Sequence, residues 1–294
     1  MSHLMCLGLG YSARYLAGDL ARLGWRITGT TRHAAGLSDI ERLGYAAVVF
    51  DGETVTNEVR LALAEANHVL ISAPPSADGD PILRVLAADL AAARPKWIGY
   101  LSTIGVYGDA NGGWVDEETP PNPLAERSVR RLRAERQWLE FGEFHGLRVE
   151  IFRLAGIYGP GQSAVESVLA GTARRIVKPG QVFNRIHVVD IAQVVQAALA
   201  GPPRHAIYNV TDDEPAPPQD VVAFAAQCLR LPPPPEIAWE EAGLEGMAAS
   251  FYAENKRVSN RRIKDALGIS LTYPTYREGI AALAARAVQE GAGR

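Results

Sequence analysis

Gly8-Leu9-Gly10-Tyr11-Ser12-Ala13 is the stretch that decides how this chain is read. It fits G-x-G-x-x-G/A, follows the apolar run Leu4–Leu7 and opens Arg14–Leu23, whose apolar residues have helical spacing. A strand entering a glycine turn that enters a helix is the context in which this motif binds a dinucleotide. Gly8 permits the tight turn, Gly10 lets backbone approach a pyrophosphate, and Ala13 keeps the helix close to the sheet. The N–H groups of the first helical turn, with the positive end of the helix dipole, then face the phosphates. The plainer alternative is a glycine-rich turn that binds nothing.

The pattern continues outward. Short apolar runs at Arg26–Gly29, Ala46–Phe50, His68–Ser72 and Trp97–Leu101 alternate with helical stretches at Asn57–Glu65 and Ile82–Ala93. Strands that are apolar throughout, alternating with helices, predict a parallel sheet covered on both faces. Right-handed crossovers make that an α/β doubly wound parallel sheet, a Rossmann fold. Beyond Gly108, a polar loop at Asp109–Pro123 precedes a long helix at Ala125–Phe141, a strand at Arg148–Phe152 and a strand at His205–Val210. Pro232–Pro235 reads as a stiff connector with helical pattern resuming after it. The expected division is a Rossmann domain at 1–160, completed by 182–210. A small C-terminal substrate lobe takes 161–181 and 211–294.

At 294 residues, with 47% hydrophobic and 21% charged residues, the chain is neither disordered, collagen-like nor a coiled coil. Thirty Lys and Arg against 33 Asp and Glu leave a net charge of −3, which gives no global reason to expect nucleic acid or an anionic membrane. Cys6 and Cys228 are too few for a disulfide framework or a zinc site, as expected in a reducing compartment. No pair among the six histidines has i, i+4 spacing, so no metal is expected. No apolar window reaches the ~18–20 residues of a membrane helix. The expectation is a cytoplasmic protein.

Cofactor choice is read from the end of the second strand. An NAD site carries an acidic residue there, about 20 residues past the glycines, against the ribose 2′-hydroxyl. Here the neighbourhood is Thr28-Gly29-Thr30-Thr31-Arg32-His33, without a carboxylate. Thr31 and Arg32 suit a 2′-phosphate, which favours NADP over NAD. Arg32 as a solvated strand-end charge is the alternative. Asp51-Gly52 is placed to accept from the adenine amino group, or to form a turn.

Further segments occur in a telling order: Leu101-Ser102-Thr103-Ile104-Gly105-Val106-Tyr107-Gly108, Phe152-Arg153-Leu154-Ala155-Gly156-Ile157-Tyr158-Gly159-Pro160-Gly161, Arg185-Ile186-His187-Val188-Val189-Asp190 and Tyr208-Asn209-Val210. With the glycine turn, they make the sequence resemble the extended short-chain dehydrogenase/reductase family, often labelled NAD-dependent epimerase/dehydratase. The resemblance implies a nicotinamide cofactor, an oxidoreductase or epimerase acting on a small molecule such as a nucleotide sugar, and a homodimer paired through two long helices. It completes the cofactor set Gly8, Leu9, Gly10, Tyr11, Ser12, Ala13, Thr31, Arg32, Asp51 and Gly52 with Ala73, Pro74 and Gly156. It assigns Thr103 to orient a substrate oxygen.

The family's general acid is the Tyr of Y-x-x-x-K. With Glu135 matched to the family's later helix Glu, Arg127 stands at the Tyr position and Arg131 at the Lys position. Arg cannot exchange a proton near neutrality, so the tyrosine mechanism is lost. The sequence looks like the atypical subgroup lacking this pair. Asp80 and Tyr107 remain candidate proton donors, Asp80 being equally readable as a helix cap before Pro81. Ile104 and Gly105 replace the acidic pair of the dehydratase branch. The Arg-rich helix and the later run Lys256-Arg257, Arg261-Arg262 and Lys264 read as solvated faces or as anion sites. A non-catalytic NADP(H) sensor is the reading from another class.

Overall fold

The computed structural model describes residues 2–292. In chain order the elements are β1 (His3–Leu7), α1 (Tyr11–Arg22), β2 (Arg26–Thr31), α2 (Leu37–Glu41), β3 (Ala46–Val49), α3 (Asn57–Glu65), β4 (His68–Ile71), α4 (Pro81–Ala93), β5 (Trp97–Thr103) and β6 (Trp114–Val115). Then follow α5 (Glu126–His145), β7 (Val149–Leu154), β8 (Gly156–Tyr158), α6 (Ala164–Leu169), β9 (Arg175–Val177), β10 (Arg185–His187), α7 (Val188–Ala200) and β11 (Ile207–Val210). The chain closes with α8 (Pro218–Cys228), β12 (Glu236–Ala238), α9 (Gly246–Tyr252), β13 (Arg257–Val258), α10 (Arg261–Leu267) and α11 (Tyr276–Ala292).

A seven-stranded sheet runs β11-β7-β5-β4-β1-β2-β3, with parallel pairing from β5 through to β3. The reversal of order on either side of β1 is the doubly wound topology expected from the alternating pattern. β1 is buried at every position, as a central strand covered on both faces must be. Local chemistry marks the helix starts. Thr56 caps α3 by accepting from Val59 N–H, and Asp80 caps α4 with Pro81 in the first turn. α1 begins three residues before the expected Arg14, because Tyr11-Ser12-Ala13 is itself the first helical turn.

The chain divides into two compact units: 1–103 with 126–153 and 191–208, and 104–125 with 154–190 and 209–294. It leaves the first unit at or near the C-terminal ends of β5 and β7, and within β11. Pro232–Pro235 lies inside the second unit and leads into the short strand β12, which pairs with β9, rather than straight into a helix. An extended polyproline-like backbone runs naturally into a strand. No described helix is long and apolar enough to cross a membrane.

Core packing in the first unit overrides one helical charge spacing. Arg131 and Glu135 have i, i+4 spacing but do not pair. Glu135 faces inward with Leu132, Ala134 and Trp138 and is 1% exposed. Its carboxylate takes Arg153 in a two-pronged ion pair, with Nε 3.1 Å and Nη2 2.8 Å from Oε2, and also accepts from the Ser102 hydroxyl. Arg131 instead donates to the Leu101 carbonyl at 2.6 Å and lies over the Tyr100 ring. Glu126 and Arg130, also four residues apart, do pair on the outer face. Removing one partner of a buried pair strands the other charge, so Glu135→Ala should cost about 3–5 kcal/mol. Urea unfolding checks this, and a loss well below that range would show that Arg153 finds other compensation.

Candidate functional site

The ends of β1 to β4 in the first unit surround a cavity of about 560 Å³. Its floor is the glycine turn. Gly8 has φ +93°, and a Cβ there would stand 3.2 Å from Ala73 N, so the position demands glycine twice over. Gly8 N–H donates to Thr30 Oγ1 at 2.8 Å, and Leu9 N–H donates to Thr30 O at 3.2 Å. Arg14, one turn into α1, donates from Nε to Leu9 O at 3.2 Å. Leu9 itself packs where a Cβ on Gly29 would come within 2.7 Å. On the other side, Ser72 and Ala73 N–H both reach Leu7 O, at 3.0 and 3.2 Å.

Gly10 is the N-cap of α1 at φ −82°, ordinary backbone, and no side-chain oxygen closes the first turn. A Cβ on Gly10 would meet only Ser72 Oγ, at 3.9 Å. The cradle is therefore open for an anion against the helix N-terminus. This open cradle and the size of the cavity fit the phosphate and adenosine part of a dinucleotide.

Gly8, Leu9, Gly10, Thr31, Arg32, Asp51, Gly52, Ala73 and Pro74 line this one cavity. Tyr11, Ser12 and Ala13 form the first turn of α1 beside it rather than its wall, with Ala13 fully buried. Gly156 lies in the second unit, in β8, where its N–H donates to Asn184 O at 3.1 Å. Thr31 bonds from its hydroxyl to His33 O at 3.3 Å. Asp51 Oδ1 accepts from Glu53 and Thr54 N–H, both at 2.8 Å, so it also forms the turn weighed as its alternative. These bonds hold its carboxyl below the usual range.

The motif reading passed over Thr30, Phe50, Glu53, Ser72 and Arg84, which also line the cavity. Only Thr30 left a trace in sequence, as a hydroxyl at the end of a strand next to the glycine strand. The others converge through strand order and loop path.

The candidate acid–base residues are placed as follows. Thr103 ends β5 in the first unit and is half-buried. Tyr107 belongs to the second unit, is 3% exposed and donates its hydroxyl to Asn209 Oδ1 at 2.8 Å. Asp80 is 2% exposed, and its Oδ1 accepts from Ile82 and Leu83 N–H at 2.9 and 3.1 Å. That is the cap anticipated as the alternative. Burial pushes its carboxyl up from the ordinary value, against the nearby Trp138 indole and the cap bonds. At the positions matched to Tyr and Lys, Arg127 is exposed and Arg131 is tied to the end of β5.

In the second unit, burial pushes the His187 imidazole down to about 4, and its Nδ1 accepts from Val189 N–H at 3.2 Å. The late basic run is internally satisfied. Lys256 reaches Gly108 O and Glu254, Arg257 reaches Gly112 O, Arg261 Asp265, Arg262 Glu117 and Glu118, and Lys264 Asp213. Among the described residues no group of three or more His, Cys, Asp or Glu is placed to hold a metal ion.

A sequence model of the NAD dependent epimerase/dehydratase family matches residues 82–211. Protein YeeZ of Escherichia coli (strain K12) is 30% identical over 286 residues, covering 93% of this chain and 97% of that protein. A 3-diazoavenalumate denitrifying reductase of Streptomyces sp is 27% identical, covering 95% of this chain and 99% of that enzyme. The solved structure of a functionally unknown conserved protein from Silicibacter pomeroyi DSS superposes with a TM-score of 0.88 at 48% identity, over 98% of this chain and 99% of that one.

The geometry at Gly10 makes a clean test of the cradle. Its backbone accepts any residue, yet a branched side chain would fill the open space above the helix N-terminus. Gly10→Val should keep the far-ultraviolet circular dichroism of the parent and lose NADPH and NADH binding. A folded variant that binds either dinucleotide as the parent does would reduce the turn to architecture.

Proposed function

The chain belongs to the NAD dependent epimerase/dehydratase family, and on that premise we propose that it is an NADP(H)-dependent oxidoreductase of the atypical kind, acting on a small molecule without a tyrosine acid. The observation that carries this reading is the open glycine cradle sharing one cavity with Arg32. Gly8, Gly10 and the first turn of α1 would hold the pyrophosphate, and Arg32 the 2′-phosphate. The bound dinucleotide would supply or accept a hydride.

The chain's own residues limit the rest of the chemistry. Arg127 and Arg131 stay charged and move no proton. Thr103, at the C-terminal end of β5, would donate a hydrogen bond to a substrate oxygen and polarise it. Asp80, whose Oδ1 alone is spent on the cap, and Tyr107, which donates to Asn209, stay the candidate proton donors, with water as the other source. The similarity to a protein named as a reductase supports the reductive direction. The internal pairing of the late basic run weakens the case for a nucleotide-sugar phosphate held there.

A second reading, a non-catalytic NADP(H) sensor, draws on Arg131, whose bonds to Leu101 O and Tyr100 serve packing rather than catalysis. Thr103 separates the two. Once a reducible substrate is found by NADPH oxidation, Thr103→Ala should lower kcat while NADPH affinity stays unchanged. Unchanged turnover removes Thr103 from the chemistry, and failure of every carbonyl substrate in a broad panel favours the sensor.

Cofactor choice is tested independently. NADPH should bind more tightly than NADH, and Arg32→Ala should remove a charge-assisted contact worth on the order of 1.5–3 kcal/mol, or roughly ten- to hundredfold in affinity. Titration calorimetry reads both. Equal affinity of the unaltered protein for the two dinucleotides refutes the preference.

A further inference from the structure

The cavity holds a second guanidinium that no glycine motif announces. Arg84 lies in the second turn of α4 and lines the same cavity as Arg32. Its Nη2 donates to Gly52 O at 3.3 Å, a long bond that ties the side chain to the loop after β3. Arg32 follows the last residue of β2, and β2 and β3 are paired neighbours. Phe50 N–H donates to Thr31 O at 2.8 Å, so the loop carrying Gly52 is pinned beside the residue preceding Arg32. One arginine thus enters this cavity from a strand end and the other from a helix.

Their partners are informative. Arg22, Arg26, Arg42 and Arg60 of the same unit each pair with a carboxylate, whereas Arg14 and Arg131 bond to carbonyls. Among the described residues Arg32 and Arg84 pair with no carboxylate, although Asp51 and Glu53 line the cavity with them. Asp51 is turned onto its own loop. A guanidinium carries five N–H donors, and Arg84 commits one to a carbonyl. Two such groups lining one cavity suit a dianion with several acceptor oxygens.

We infer that Arg84 is a cofactor-specificity residue that closes with Arg32 on the 2′-phosphate of NADP(H). The inference rests on the NADP(H) reading above and adds that discrimination is shared between β2 and α4. A 2′-hydroxyl offers Arg84 nothing comparable, so with NAD(H) the side chain keeps its bond to Gly52 O.

The test titrates NADP+, NAD+, 2′-AMP and 5′-AMP into the full-length protein and into Arg32→Ala, Arg84→Ala and Arg84→Gln. Arg84 is exposed, and a melting curve confirms that each variant folds. Both Arg84 variants should weaken NADP+ and 2′-AMP by on the order of tenfold and leave NAD+ and 5′-AMP unchanged. If the parent prefers NADP+ and Arg32→Ala removes that preference, but the Arg84 variants leave it intact or weaken both dinucleotides alike, the role of Arg84 is overturned while the cofactor reading stands. A parent with no preference, or with no affinity for either dinucleotide, defeats the cofactor reading, and the role of Arg84 falls with it.

Discussion

The backbone of Gly8 is the constraint on which the site depends. Its positive φ turns the chain out of β1, and its missing Cβ lets the end of β4 close against it at Ala73. Its N–H is held by Thr30 Oγ1, and the next N–H by Thr30 O. Those two bonds fix where α1 starts, and so where the N–H groups of its first turn point. A side chain at residue 8 would strain the turn and push β4 away together. The cavity exists because three neighbouring strand ends, β1, β2 and β4, are locked to each other at one residue.

The second organising feature is electrostatic and buried. Glu135, Arg153 and Ser102 link α5, β7 and β5 inside the first unit. Such a group is costly to desolvate and holds only when every partner is present. It leaves α5 with two different arginine populations. Arg130 meets Glu126 on the outer face, whereas Arg131 is drawn to the carbonyl end of β5, next to Ser102 and Thr103. The consequence reaches the proposed chemistry. The helix position that a tyrosine mechanism would use carries a permanent cation, and the following turn is spent on holding a strand end.

The second unit uses its charges in the same inward way. Lys256 is 6% exposed and holds Gly108 O and Glu254, while Arg262 draws Glu117 and Glu118 together. A run that reads as a basic patch in one dimension is a set of separate anchors in three. Pairs committed in this way leave few cations free for an anionic ligand.

The alternation of apolar runs and helical spacing determined the doubly wound sheet by itself. Period and apolar content are local properties, and β1 to β5 fall where that pattern put them. The glycine turn was equally legible, because Gly8 and Gly10 are adjacent in sequence and act through their own backbones. Caps were legible too: Asp80 before Pro81 needs only its own helix. Tertiary structure alone decided the partners of side chains that act across elements. Arg131 and Glu135 have the spacing of a helical pair, yet burial of Glu135 sent it to Arg153, 18 residues on. Thr30 became the clamp of the glycine turn through the register of β1 with β2, and Arg84 joined the cavity through the path of the loop after β3. A motif records what neighbours along the chain can do. Which distant donor meets which acceptor is set by strand order and by the cost of leaving a charge unpaired in the core.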